Sequence, residues 1–294
     1  MRYQKYCVFI CCWFQLFVAS AQSEEYLKKY EIWKSERVQE LKSEQGYLNL
    51  AGLFWLKEGE STIGSDKSNK IHFDTENTAG SLGKVTLKNG EVWYDPLDSK
   101  DVYILNKPAT KTKLYPVNGS PIVVTHHELR WFIIQRGEDF GIRLKDFKGK
   151  YLQNFKGIEY FPLNQNLIVE GRFVPTPGRK IDIKLATGHP YVHNSPGKVI
   201  FFIDGKEMSL DATGTLEKLS FVFGDETNSD ETYGGGRFLE ADGPDTNNKV
   251  IIDFNRAYNP PCAFTPYATC PLPTKENKLL VSISAGEKFT DHDE

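Results

Sequence analysis

After Gly46 the spacing of apolar residues changes from a helical period to alternation, and no second long helical pattern follows. That change limits the fold more than any other feature, because a side-chain period of two suits a half-buried strand and no helix. "DFGIRLKD", 139–146, sets Phe140, Ile142 and Leu144 on one face and Gly141, Arg143 and Lys145 on the other. "KIDIKLA", 180–186, does the same with Ile181, Ile183 and Leu185. Two hairpins are marked by dipeptides that tolerate positive φ in a type I′ turn: Asn89-Gly90 inside "KVTLKNGEVWY" and Asp204-Gly205 inside "VIFFIDGKEMSL". Further strands are expected at 102–105, 111–115, 129–135, 168–174, 217–223, 249–254 and 279–284. The expected fold is mostly β, an antiparallel β-sandwich or barrel-like domain over 46–294. Polar, glycine-bearing stretches at 145–157 and 172–180 are its weakest points, but no repeat or low-complexity linker divides it.

Ahead of the switch, residues 22–45 read as one leading amphipathic helix. Leu27, Tyr30, Trp33, Val38 and Leu41 fall in a broad stripe, and Gly46 is a natural stop. Its polar face mixes Lys with Glu, which suits a helix lying on a domain better than a basic membrane-surface arm. Residues 1–21 read as a signal peptide. Arg2 and Lys5 precede an apolar run from Cys7 to Val18, broken only by Gln15, and Ala19-Ser20-Ala21 offers a small-x-small cleavage site before Gln22. The run is short for a bilayer span. Ile10 and Cys11 precede the cysteines where a lipoprotein signal needs a small residue, and an uncleaved anchor is the alternative. The expected location is secreted or periplasmic, with no stable membrane insertion after cleavage. Cleavage would remove two basic and no acidic residues, taking the net charge from −3 to −5. With charges of both signs interleaved, a nucleic-acid surface is not expected.

Several motifs stop short of a known chemistry. "HHELRW" opens like a zinc-protease helix, but Trp131 stands at its second histidine position and its flanks alternate as strand. His189 and His193 are four apart beside Pro190 and Ser195-Pro196, which reads as loop, and no third ligand accompanies them. "GESTIG" lacks nucleophile-elbow spacing, and "YGGGRF", 233–238, lacks the strand-to-helix context of a phosphate loop. "TIGSDKSNKIHF", 62–73, is slightly similar to the opening strands of forkhead-associated domains. Ser65 stands where an arginine follows the glycine there, and the downstream Ser…His pair is missing, so phosphothreonine recognition is not expected. No metal or cofactor is expected.

The carboxyl-terminal third is different. It carries Thr232-Tyr233, Gly236 to Leu239, Asp253 to Asn255, Asn259 to Cys262, Cys270 to Pro273, Glu276-Asn277 and Ala285 to Glu287. In these blocks, and in "NLAGLFWLKEGESTIGSD" and "GIRLKD" before them, the chain resembles the family catalogued as domain of unknown function 1684, over roughly 46–288. Pro261 before Cys262 and Thr274-Lys275 after Pro273 depart from its pattern. The resemblance implies a family and no reaction.

Two readings of that region stand side by side. In one, Asp and Asn side chains tie a proline-stiffened loop to backbone groups, and Arg237 pairs with a carboxylate such as Asp253. In the other, the same groups line a small-ligand or substrate pocket at the end of the β scaffold. Arg237, Asn255 and Asn277 would then bind the ligand. A hydrolase version uses Asp253 or Glu287 as general base, with Arg237 holding an anion. The rival is a non-catalytic module for envelope or extracellular glycans, with Trp93-Tyr94 as an aromatic platform. Cys262 and Cys270 are the only cysteines after residue 21. Pro266 midway lets the chain return, and an oxidising compartment permits a disulfide, worth roughly 2–3 kcal/mol for so short a loop. A metal would lack nearby partners. A catalytic thiol would need a pKa-lowering neighbour, and Arg256 is the cation closest before the first cysteine.

Overall fold

The computed structural model describes residues 24–75, 78, 80–97 and 101–290. The expected signal segment and its cleavage site lie outside them. The chain forms two compact units, Met1–Gly46 and Tyr47–Glu294. In the first, α1 covers 24–42. Tyr30 stacks between Tyr26 and Trp33. Tyr30 and Leu41 are buried while Leu27 is exposed, so the apolar stripe is narrower than its sequence pattern. Among the described residues no helix is long and apolar enough to cross a membrane.

The second unit is mostly β, sandwich-like, with no closed barrel. Its amino-terminal half sets two sheets against a shared core. One has the order β1 (Leu50–Trp55), β11 (Asp139–Asp146), β10 (Leu129–Arg136), β9 (Val124–His126), β6 (Val102–Ile104), β7 (Lys107–Pro108). The other runs β3 (Ile71–His72), β2 (Gly59–Gly64), β4 (Gly83–Lys88), β5 (Glu91–Pro96), β8 (Thr112–Tyr115). Trp131, Tyr94 and Phe73 are the large rings between them. Tyr94 can be fully buried because its hydroxyl donates to Leu82 O at 2.7 Å.

The carboxyl-terminal half repeats the arrangement. A sheet of β16 (Lys206–Asp211), β15 (Gly197–Ile203), β12 (Ile168–Pro175) and β20 (Lys249–Asp253) shares a core with β17 (Thr213–Gly214), β18 (Lys218–Phe223) and β19 (Arg237–Asp242). A ribbon of β13 (Lys180–Lys184) and β14 (Pro190–Asn194) stands beside them. Among these pairings only β2 with β3 is parallel.

Both expected hairpin turns form, with positive φ at Asn89 and Gly90 and at Asp204 and Gly205. Two expectations fail. Residues 279–284 form no strand, although Leu279 and Ile283 are buried; they are fastened through side chains and single backbone bonds instead. The segment from Pro190, read as loop, pairs with β13 from Lys184↔Pro190 to Lys180↔Asn194. Proline is tolerated there because it opens a two-stranded ribbon. A third departure concerns β11. Both of its faces are covered, so Arg143 and Lys145 are buried despite their place on the polar side of the alternation.

Candidate functional site

The polar residues of the carboxyl-terminal motif act mainly on backbone. Asn277 accepts from Asp211 N (2.7 Å) and donates to Asp211 O (3.0 Å) and Val222 O (2.9 Å), so its amide stands in for a strand partner. Asn255 treats Asn164 the same way, at 2.8 and 3.0 Å. Asp253 caps the short turn Phe254–Arg256 through Asn255 N (3.1 Å) and meets Arg256 at 3.4 Å. Glu287, fully buried, accepts from Asn259 N at 2.7 Å.

Arg237 is also fully buried. It pairs with Asp225 (2.8 Å) rather than Asp253, and donates to Ile283 O (2.8 Å) and Ala285 O. Its guanidinium lies 5.4 Å from the Phe223 ring centre. Burial pulls its pKa below the ordinary value, and Asp225 opposes that. Asp225 is itself saturated, accepting from Thr227 N, Thr227 Oγ1 and Ile283 N. Gly236 makes the approach possible: at φ +85°, a Cβ there would stand 2.5 Å from Phe223 O. Asp225 lies ahead of the first motif block and twelve positions before Arg237, a separation that no local pattern links. The residues thus divide among separate clamps.

The proline-rich loop lies over the outer face of β11. Arg143 Nη2 reaches Tyr267 O and Thr269 Oγ1, both at 3.5 Å, and Thr265 Oγ1 reaches Leu50 O at 3.4 Å. The loop then joins the ribbon through Ala186 N to Cys270 O and Leu272 N to Lys184 O, both 2.8 Å. Cys262 and Cys270 are free thiols, not the expected disulfide, with the Cys262 N–H donating to Cys270 Sγ at 3.1 Å. Contact between the two thiol groups lowers the Cys262 pKa, burial opposes it, and Arg143 assists; that thiol contact and burial raise the Cys270 pKa, while the Cys262 N–H opposes the rise. Burial and the two thiols push the Tyr233 phenol up to about 12.

Arg143 has no carboxylate partner among the described residues, and its buried Nε has no hydrogen bond. Burial, then the neighbouring Arg136, pull its pKa down. Arg136 Nε donates to the same Thr269 Oγ1 at 3.2 Å, and Nη1 donates to Gln135 O at 2.8 Å. Neither arginine is marked as a site residue by its local sequence. The only signal is the place of Arg143 inside "GIRLKD".

Arg136 also lines a cleft of about 580 Å³. Ile183, Leu185, Phe221 and Leu239 give its apolar wall, while His193, Tyr258 and Thr269 add polar groups. None of Arg237, Asp253, Asn255, Asn277 or Glu287 lines it. His189 is separately engaged, between Thr187 Oγ1 (2.9 Å) and Asp139 Oδ2 (2.8 Å). Trp93 belongs to another hollow, on the β4–β5 hairpin; its Nε1 donates to Glu91 at 3.1 Å and Lys113 Nζ lies 5.6 Å from its ring centre. Tyr94, expected beside it in an aromatic platform, is core.

No curated protein matches the chain. An uncharacterized protein from Haloarcula marismortui, solved in solution, is similar at 28% identity, over 48% of this chain and 80% of its own, with a TM-score of 0.40. The FHA domain of a Chlamydia trachomatis protein is similar at 18% identity, over 33% and 95%, with a TM-score of 0.22. Neither likeness carries an argument about this molecule. The family match covers less of the chain than the 46–288 resemblance. Residues 153–288 match the family described as "Protein of unknown function (DUF1684)", which supports placing the carboxyl-terminal half of this chain in that family.

Proposed function

We propose that this protein binds a small amphipathic anion in the cleft bordered by Arg136. The observation that carries the reading is a guanidinium at an apolar cleft, without a carboxylate partner among the described residues. Arg136 uses two N–H groups on Thr269 and Gln135, and the rest of its fork makes no hydrogen bond to the described residues. A guanidinium in that state suits a carboxylate or sulfonate. The volume falls in the usual small-molecule range of roughly 300–1,000 Å³. Asp253 and Glu287 hold loops and do not line the cleft, so the proposal assigns binding and no hydrolysis.

The glycan alternative has one feature in its favour, the hollow beside Trp93. Its indole N–H is taken by Glu91 and Lys113 sits against its ring, so the anion reading is the stronger. Export also remains a proposal, resting on Ala19-Ser20-Ala21; intact mass of the exported protein beginning at Gln22 would bear it out, and a retained leader would end it.

Titration calorimetry with octanoate tests the binding reading, with octanol as the neutral control. Octanoate is expected to bind the parent, Arg136→Ala to weaken it at least tenfold, and octanol to bind poorly to both. Equal binding by parent and variant would contradict the reading.

A further inference from the structure

Arg143 raises a question that the cleft does not answer, because it does not line the cleft. It is 9% exposed, and neither a carboxylate nor an Nε partner meets it among the described residues. A buried cation without a counter-ion is costly, by several kcal/mol in ordinary cases. The groups that favour its charge are Tyr47 first and then the two thiols of the proline-rich loop lying across it, Cys270 and Cys262.

We propose that Cys262 and Cys270 form a peroxide-reactive dithiol, with Cys262 as the attacking thiolate and Cys270 as the thiol that resolves it. Four observations support the pairing, of which the first and the last divide the two roles. Cys262 is partly exposed while Cys270 is buried, so a dissolved oxidant meets Cys262 first. Cys270 Sγ lies 3.1 Å from the Cys262 backbone nitrogen, within one side-chain rotation of its sulfur. Arg143 supplies positive charge beside both residues. The thiol–thiol contact and the charge of Arg143 favour the thiolate at Cys262, whereas that contact and then burial keep Cys270 protonated against the opposing Cys262 N–H.

The chemistry balances with hydrogen peroxide as oxidant. The Cys262 thiolate attacks one peroxide oxygen, the O–O bond breaks, and the departing hydroxide takes a proton to become water. Cys262 is then a sulfenic acid. The Cys270 sulfur attacks Cys262 Sγ, the S–O bond breaks, and a second water leaves with the Cys270 proton. Two thiols lose two electrons, peroxide gains two, and one disulfide remains. This differs from a permanent staple, since the bond is made from two free thiols on the folded scaffold. It also stands apart from anion binding at Arg136, and neither proposal falls with the other.

The test uses the full reduced chain treated with hydrogen peroxide, followed by alkylation and mass analysis of intact protein and peptides. The parent is expected to lose both free thiols together, fall by two hydrogen masses and stay monomeric. In Cys270→Ser, Cys262 is expected to stop at a sulfenic acid that dimedone traps. In Cys262→Ser, Cys270 is expected to stay unreacted. Without peroxide, iodoacetamide should label Cys262 at least tenfold faster than Cys270 near neutral pH. Arg143→Met should move the pH midpoint of Cys262 labelling upward, while Arg143→Lys, which keeps the charge, should move it less. Equal labelling of both thiols, faster reaction at Cys270, or no dimedone adduct in Cys270→Ser would overturn the proposal. If neither arginine variant folds, the labelling order in the parent decides alone.

Discussion

Two buried arginines in this protein sit in opposite surroundings. Arg237, between the β18–β19 sheet and the last loop, has a buried carboxylate and two carbonyls around it. Arg143, on the outer face of β11, has only two 3.5 Å contacts from one Nη and no carboxylate among the described residues, while Nε lacks a hydrogen bond in both arginines. The first arrangement compensates the charge and so fastens structure. The second leaves charge for an anion the fold supplies elsewhere. The contrast shows why burial of an arginine alone says nothing about its role; the neighbouring acceptors decide.

The largest effect is expected on the Arg237 side. Asp225→Ala strands a buried guanidinium and should cost about 3–5 kcal/mol in urea unfolding. A loss as small as a surface substitution would break the comparison. Asn277→Ala leaves the Asp211 N–H and two carbonyls without partners, and should cost about 2–3 kcal/mol. Arg136→Ala removes a half-buried side chain from the cleft edge. Its stability should stay within about 1 kcal/mol of the parent, while calorimetry registers the lost octanoate affinity. Lys67→Ala, in an exposed loop, should change the unfolding free energy by no more than about 0.5 kcal/mol.

Much of the β scaffold was legible because alternation and I′ turns are local signals. Phe140, Ile142 and Leu144 face inward as their spacing says. What was not legible is what covers the other side of β11. Arg143 and Lys145 looked solvent-facing because no local pattern shows that a loop more than a hundred positions later lies there. The same distance hid the cleft, whose wall draws on β13, β18 and β19. The motif residues were visible as a cluster, and their bonds to backbone fit the loop-holding reading, one of the two that the sequence left open. Asp225, not Asp253, as the partner of Arg237 could not be read from spacing. Leu279 and Ile283 were read as strand because buried apolar residues in an irregular segment carry the same alternation.

The contrast between the two arginines rests most directly on one paired measurement: urea unfolding of Arg237→Met and Arg143→Met beside the parent. Arg237→Met is predicted to lose about 3–5 kcal/mol, since Asp225 is left buried and unpaired. Arg143→Met is predicted to stay within about 1 kcal/mol of the parent or to gain stability, since a buried charge with no carboxylate partner among the described residues is replaced by an apolar chain of similar reach. A loss at Arg143 equal to that at Arg237 would contradict the contrast and make both arginines fasteners.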